Sequence, residues 1–293
     1  QQPQYLADPQ KALERHRARL TGQDDRVPDN DQHTQQTSLM VGRHWSLWLV
    51  AASTLIGLTV GVGWLFQDYL LYRTYTTAYG EIRHLTLSDG SEVTLNANSS
   101  LKEPRFDLGR ADREVKLMGE ADFSVRHTVD HRRFVVKTGK GLDVVVLGTE
   151  FTVYNRQQDA RVVLKTGKVQ LNYKEGKSQR QLTMQPGDLV TLDKKGHARC
   201  RPTARPENYA AWRNNRYVFE ETSLQEIVRL FADNYGMTLV IPDPQLAQWT
   251  VSGSFTARSG QELLETLMEA SSLTYTQSDH HILITQSDNQ PLP

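Results

Sequence analysis

The stretch Trp45–Phe66, WSLWLVAASTLIGLTVGVGWLF, constrains the layout of this chain more than any other. It carries no charge, and Arg43-His44 and Gln67-Asp68 bracket it. A helix of this length reaches about 33 Å, enough to cross a hydrocarbon core of about 30 Å. Its interior polar residues are Ser53, Thr54 and Thr59, which can return their hydroxyl bonds to their own helix. Trp45, Trp48 and Trp64, with Tyr69 and Tyr72 beyond, stand where interfacial aromatic belts form. A secretory signal would be shorter, would begin earlier and would end in a small-x-small cleavage site, so the run reads as one retained membrane span. Arg43 and His44 precede the span, while Asp68 and then Arg73 follow it, a bias that places the amino terminus in the cytoplasm. The expected layout is a cytoplasmic tail over 1–44, a span over 45–66, a stalk over 67–77 and more than two hundred residues outside.

The composition fits that layout. Hydrophobic residues make up 38% and the formal charge is +0, an ordinary globular balance that argues against the basic field of a nucleic-acid binder. One cysteine, Cys200, excludes an intrachain disulfide and reads as an ordinary unpaired residue. The sequence opens on Gln1 and not Met, which reads as a truncated or processed start. Leu6–Leu20 has a helical pattern, with Asp8-Pro9 suited to a cap and first turn and a weak apolar stripe at Leu13 and Leu20. Thr21–Ser38 is nearly free of apolar residues and reads as a flexible tether. A short amphipathic piece on such a tether docks on a partner more readily than it does chemistry.

From residue 78 the period changes to two. Leu85, Leu87, Val93 and Leu95 alternate around Asp89-Gly90, a hairpin signal. Further strands are expected at Val115–Leu117, Ala121–Val125, Phe134–Lys137, Leu142–Leu147, Phe151–Tyr154, Val162–Lys165, Val169–Tyr173 and Leu189–Leu192. Glycines at 119, 139, 141, 148, 167 and 187 punctuate them. The expected unit over 78–198 is all-β, and the pattern leaves a sandwich and a solenoid both open.

Residues 199–212, with RCRPTARP at their start, read as a linker by their prolines and charges. Beyond them, Tyr217–Phe219, Ser223–Tyr235 and Thr238–Ile241 read as strand, helix and strand. Val251–Phe255, Ser259–Ala270, Leu273–Thr276 and His281–Thr285 repeat the order and add a strand. Both helices open with S-x-Q-E, at Ser223 and Ser259, each a capping box. Their apolar stripes correspond, Leu224, Ile227, Val228 and Phe231 against Gly260, Leu263, Leu264 and Leu267. Residues 213–287 are therefore expected to form a small α+β domain of two βαβ repeats, followed by a tail at 288–293.

The sequence holds no C-x-x-C, H-E-x-x-H, phosphate-binding loop or G-x-S-x-G, and His280-His281 on a strand would point to opposite faces. No cofactor or metal is expected, nor a turnover enzyme. One dipeptide bears chemistry. Gly148-Thr149, in VVVLGTEFTV, lies where one β run breaks and another begins. Held in a strained turn, its Thr hydroxyl could attack the preceding carbonyl, an N-to-O acyl shift whose ester would then hydrolyse. The plainer reading is a glycine bend between strands. Trp249, near Val251–Phe255, is a candidate partner-binding anchor, with core packing as its alternative. Gly57-Leu58-Thr59-Val60-Gly61 is a G-x-x-x-G within the span, open to reading as a dimer face, a weak point for an intramembrane protease, or simply glycine in a membrane helix.

The runs TTAYGEIRHLTLSDGSEVTLNANSSL, EVKLMGEADFSV, FVVKTGKGLDVVVLGTEFTV and VVLKTGKVQL resemble the periplasmic domain of FecR-type inner-membrane anti-sigma regulators. YVFEETSLQEIVRLFADNYGMTLVI and VSGSFTARSGQELLETL resemble the secretin-and-TonB short N-terminal domain that ends these regulators. The resemblance spans about Arg43–Thr285 and implies cell-surface signalling from the inner membrane. A TonB-dependent outer-membrane receptor loaded with an iron-siderophore would contact the periplasmic part. Periplasmic and intramembrane proteases would then release or activate an extracytoplasmic-function sigma factor. The resemblance also implies self-cleavage at a Gly-Thr matching Leu147-Gly148-Thr149-Glu150-Phe151, with Thr149 as nucleophile and Gly148 supplying the carbonyl. The amino-terminal end departs from the family: no Trp precedes Trp45, and YLADPQKAL alone is similar to the last part of the sigma-binding domain, with Tyr5 in an aromatic position. The alternative function class is a structural module of a secretion or envelope complex. Small βαβ domains of this kind also offer a sheet edge to which a receptor strand could add.

Overall fold

The computed structural model describes residues 10, 13, 14, 17, 41–106, 109–139, 141–156, 159–278 and 281–286. Gln10, Leu13, Glu14 and Arg17 are helical. The rest of the helix expected over Leu6–Leu20, the tether Thr21–Ser38, His280 and the tail 288–293 lie outside the described residues, as does the side chain of Trp45.

Helix α1 spans Val41–Leu65. Its window Trp48–Leu65 has a mean hydropathy of 1.7 and none of it is buried against protein. A helix apolar all round belongs either in a protein core or in lipid, and this one has no core around it. By length and composition it is a helix able to cross a membrane. Ser53 Oγ and Thr54 Oγ1 donate to Val50 O, and Thr59 Oγ1 to Ile56 O, each at 2.9 Å. The hydroxyls are thus satisfied within the helix, as the sequence suggested.

The expected stalk is ordered structure. A short helix α2, Gln67–Leu71, leads into strand β1, Tyr72–Thr76, which pairs antiparallel with β4, Ser100–Pro104. Tyr72 therefore packs in the domain, with Lys116 Nζ 4.6 Å above its ring. The stretch lacks the apolar alternation of a buried strand because β1 is outermost in its sheet and mostly exposed.

The other strands of this domain are β2 (Arg83–Thr86), β3 (Glu92–Leu95), β5 (Arg113–Ser124), β6 (Phe134–Lys137), β7 (Leu142–Val146), β8 (Glu150–Asn155), β9 (Ala160–Thr166), β10 (Val169–Glu175), β11 (Ser178–Met184), β12 (Asp188–Leu192) and β13 (Ala198–Pro202). β5 is the hub. Its first half pairs with β4 and, in parallel, with β6; its second half pairs with β3 and β8. One leaf runs β1-β4-β5-β6-β7-β10-β11, the other β2-β3-β5-β8-β9-β12-β13. The sheet is thus one surface curled over at Gly119 of β5, where φ is +99°. The strands expected at Val115–Leu117 and Ala121–Val125 are a single strand, because this glycine bends the chain without ending its pairing.

The two inner faces share one core. Leu117, Phe134, Val144, Leu171 and Met184 come from one leaf, and Ala121, Phe123, Phe151, Val162 and Val190 from the other. The rings of Phe123 and Phe151 stack at 5.1 Å, and Phe134 meets Phe123 edge-on at 6.2 Å. Facing leaves with one common core make the domain sandwich-like; in a solenoid each coil meets only its neighbours.

The linker expected over 199–212 is likewise ordered. β13 pairs with β12, and a 3-10 helix, Pro206–Asn214, buries Ala210, Ala211 and Trp212. Arginines and prolines are tolerated in β13 because it is an exposed edge strand that pairs on one side only.

The α+β region contains β14 (Arg216–Ser223), α3 (Leu224–Tyr235), β15 (Leu239–Val240), β16 (Thr250–Thr256), α4 (Gly260–Ser271), β17 (Leu273–Gln277) and β18 (Ile282–Gln286). The repeat has a structural counterpart: the first strands of the two halves pair with each other, β14 with β16, and their second strands, β15 and β17, both flank β18. The serine caps form as expected, Ser223 Oγ accepting from Glu226 N at 3.2 Å and Ser259 Oγ from Glu262 N at 3.1 Å. Ser223→Ala and Ser259→Ala are each expected to cost about 1 kcal/mol. In urea unfolding each should lower the midpoint with the slope unchanged; an unmoved midpoint would show that the caps contribute nothing.

Candidate functional site

Gly148-Thr149 lies between the end of β7 and the start of β8. The ladder that pairs Phe123 with Phe151 and Ser124 with Glu150 continues one step further, Val125 N donating to Thr149 O at 3.0 Å and Thr149 N to Val125 O at 3.3 Å. Thr149 is accordingly buried, at 4% exposure, and held as a strand residue. Neither Gly148 nor Thr149 has a positive φ, so the strain suggested from sequence is not in those angles.

The tightness is in packing. A Cβ on Gly148 would lie 2.7 Å from the Cβ of His127, so only glycine fits against that loop. On the other side is Gly167, in the β9–β10 turn with φ +90°; a Cβ there would lie 2.9 Å from both Gly148 O and Thr149 Oγ1. The Gly148 carbonyl and the Thr149 hydroxyl therefore face one neighbour, and that neighbour has no side chain. Thr149 Oγ1 donates to Lys168 O at 3.1 Å. Among the described residues this hydroxyl meets no side-chain base, so any attack on Gly148 depends on orientation and not on a lowered pKa.

Two neighbours of the turn had no signal in the sequence. His127 meets His131 ring to ring, Nε2 to Nδ1 at 3.0 Å, where the sequence pointed only to His280-His281. Arg113, from the start of β5, donates from Nη2 to Leu147 O at 3.2 Å. It also lines a cavity of about 340 Å³ shared with Asp89, Glu103, Arg105, Arg132 and Phe134, whose mixed charges present no single-sign field.

A second constellation joins the β domain to the α+β region. Arg156, just past β8, has a side chain 6% exposed. Its Nη1 donates to Asn98 O at 3.2 Å and Asp233 O at 3.1 Å; its Nη2 donates to Ala97 O at 2.8 Å and Asn234 Oδ1 at 2.9 Å. Asn98 Nδ2 also donates to Asp233 O, Gly80 N to Asn234 O, and Tyr154 OH to Asp233 Oδ2. The last carbonyls of a helix lack partners of their own, and here the neighbouring domain supplies them to α3. A cation at a helix C-terminus also suits the helix dipole.

Behind this clamp, the Asp122 carboxylate receives Lys165 Nζ at 2.7 Å, Thr152 Oγ1 at 2.8 Å and Arg213 Nη1. Glu120 is buried beside Asn96, whose Nδ2 donates to it at 2.7 Å. Burial pushes the Glu120 carboxyl above its ordinary value, opposed by Arg161 and Arg156. Burial and the bond to Asp233 push the Tyr154 phenol up as well. Trp249, by contrast, is half-buried, packed against the core of the α+β region, with its carbonyl accepting from Leu224 N at 2.8 Å. That is the packing alternative. Cys200 is exposed on β13, and partial burial followed by the Asp188 charge pushes its thiol up, away from the reactive thiolate. No group of three His, Cys, Asp or Glu able to hold a metal occurs among the described residues.

Comparison with known proteins gives two family matches. Residues 73–170 match the family model described as FecR protein, and residues 216–284 the one described as FecR, C-terminal. The first begins inside β1 and the second at β14, in agreement with the ordered start at Tyr72. A search of curated proteins found no match. Two crystal structures, at 1.65 and 2.50 Å, of a candidate anti-sigma factor from Parabacteroides distasonis share the fold with a TM-score of 0.64 at 23% identity. Each match covers 74% of this chain and 100% of the other.

Proposed function

The chain belongs to the FecR family, and on that premise we propose that it is a membrane-anchored anti-sigma regulator that relays a signal from outside the inner membrane to a sigma factor in the cytoplasm. The observation that carries this reading is the order of parts in one chain: a helix able to cross a membrane, then the FecR domain, then the FecR C-terminal region. In this reading Val41–Leu65 spans the inner membrane with the amino terminus in the cytoplasm, and the two domains are periplasmic. The outside partner is a TonB-dependent receptor loaded with an iron-siderophore, and the inside partner an extracytoplasmic-function sigma factor. The two-stranded pair β14–β16 leaves both outer edges without a strand partner among the described residues, a geometry suited to strand addition by a receptor domain.

Self-processing at Gly148-Thr149 is part of the same proposal. Thr149 Oγ1 forms a bond to the Gly148 carbonyl carbon, the C–N bond to Thr149 breaks, and the hydroxyl proton ends on the Thr149 amine. Water then adds to the ester, leaving a carboxylate on Gly148 and restoring the hydroxyl. Such a cut would not by itself separate the pieces. β8 pairs with β5 from Gly119↔Asn155 to Ser124↔Glu150, and β10 with β7 from Leu142↔Tyr173 to Val145↔Gln170, so strands on both sides of the break remain interleaved. Release of the signal then needs the further proteases named above.

The test is affinity capture of the tagged full chain from its own membrane, with mass spectrometry of partners and cut site. The expected result is a TonB-dependent receptor, a sigma factor and two co-purifying pieces that separate only in denaturant, the first ending at Gly148. Thr149→Ala should abolish the cut and leave one intact chain. Recovery of secretion or envelope components with an intact wild-type chain would replace this reading with that of a structural module.

A further inference from the structure

We propose that Arg113 is the positioning residue for the Gly148-Thr149 peptide, an inference that rests on the self-processing reading above. Arg113 opens β5, and its side chain is 8% exposed. Its Nη1 pairs with Asp89 Oδ2 at 2.6 Å and donates to Arg126 O at 3.0 Å; its Nη2 donates to Arg132 O at 2.9 Å and Leu147 O at 3.2 Å. One guanidinium thus ties together the β2–β3 turn, two points of the segment that carries His127, and the peptide immediately before Gly148. Its plane also lies over the Phe134 ring, 5.5 Å from the centroid. The planar fork has the donors and the rigidity to hold several carbonyls at once, which an ammonium lacks.

The arrangement acts on the reacting peptide from both sides. Arg113 holds Leu147 O, and through Arg126 O and Arg132 O it holds the loop whose His127 backbone presses on Gly148. The Val125–Thr149 pair holds the downstream side, and Gly167 leaves room beside the carbonyl and hydroxyl oxygens. With no side-chain base on Thr149 Oγ1 among the described residues, the rate of the shift depends on how often the Gly148 carbonyl carbon is presented to it. Loosening Leu147–Gly148 lowers that frequency. Arg113 touches no reacting atom, so its role is to position them.

The test uses pulse-labelled full chain made in lipid nanodiscs, followed for cleavage in wild type, T149A, R113K and R113Q. R113K keeps a charge for Asp89 and loses the fork; R113Q keeps a donor and loses the charge. Either variant that retains the wild-type near-UV dichroism is expected to cleave about ten- to hundred-fold more slowly, the loss that follows from one charged hydrogen bond. Folding alone would leave the rate unchanged well below the unfolding temperature. A second readout needs no cleavage. In the T149A chain, [1-13C]leucine with [15N]glycine labels the two Leu-Gly peptides of the sequence, Leu108-Gly109 and Leu147-Gly148. Adding R113K should move the Leu147-Gly148 signal. A wild-type rate in a folded Arg113 variant, or an unmoved signal, overturns the positioning role and leaves self-processing standing. A wild-type chain that never cleaves overturns both, and the wild-type lane alone tells these cases apart.

Discussion

Arg156→Met will loosen the α+β region from the β domain and lower the unfolding midpoint of the full chain by the equivalent of about 3–5 kcal/mol, the range for breaking a buried charge network by removing one partner. The methionine fills much of the space but supplies no donor. Ala97 O, Asn98 O, Asp233 O and Asn234 Oδ1 each lose the guanidinium contact they have in the native protein. The loss falls on the C-terminal turn of α3, so exchange of the amides around Asp233–Gly236 should rise well beyond that of α4, which the clamp does not touch.

The defect should also depend on pH, through Glu120. Burial raises this carboxyl above its ordinary value of 4.5, and Arg161 and Arg156 pull it back. Without Arg156 its folded-state pKa rises further. A group whose folded pKa is raised contributes stability that is fully present below the unfolded value and lost as pH rises through the folded one. The unfolded state is common to both proteins, so the Arg156→Met deficit should be smallest in acid and grow as pH rises through the folded-state Glu120 titration, which lies above 4.5. Denaturant midpoints of wild type and variant across that range measure this. A deficit equal at every pH would remove Glu120 from the account, and an unchanged midpoint would remove the clamp.

The parts legible in the sequence were those where a repeating physical constraint acts on consecutive residues. Sidedness-free hydropathy announced the helix that can cross a membrane. Period-two alternation announced β3, and short apolar runs between glycine signals announced β8 and β9, which are buried on both faces. The two S-x-Q-E caps announced α3 and α4. Strands exposed along most of their length were missed: β11, SQRQLTM, is buried only at Met184, and β1 and β13 are edge strands without a buried face. They are strands because a neighbour offers backbone hydrogen bonds, and the sequence of the strand does not record its neighbour.

The candidate site divides in the same way. Gly148 and Thr149 could be named from the break between two β runs. Of their surroundings, Arg113 lies 34 residues from Leu147, and Lys168, next to Gly167, lies 19 residues from Thr149, and no local pattern links them. The seam was invisible for the same reason. Arg156 reaches Asp233 and Asn234 across separations of 77 and 78, and its stretch reads as an ordinary polar turn after β8. Trp249 could be read either as a partner anchor or as core packing, because a large aromatic beside a strand carries no mark of which way it packs.

Gly119→Ala should be among the most damaging single-methyl additions in the chain. Glycine at 119 is the point where β5 leaves one leaf and enters the other, and its φ of +99° is a conformation that side chains rarely adopt. The backbone penalty alone is about 1–3 kcal/mol. The added Cβ would also run into Ser99 Oγ and lie 2.8 Å from Ser99 Cα. A serine hydroxyl could rotate away, but a backbone carbon at that distance cannot. Ser99 Oγ further accepts from Glu120 N at 3.0 Å, so displacing it strips a bond from the residue after the bend. Gly139→Ala is the control, with a φ of +73° and nothing within 4 Å of its Cβ among the described residues, and it should show the backbone penalty alone, about 1 kcal/mol. If the curl of the sheet depends on Gly119, its variant should lose several times what Gly139→Ala loses in urea unfolding. It should also expose the shared core to a hydrophobic dye before global unfolding, because the two leaves meet at this residue. Equal midpoints for the two variants would mean that β5 can bend elsewhere, and that the single core is held by the packing of Phe123, Phe134 and Phe151 without a fixed hinge.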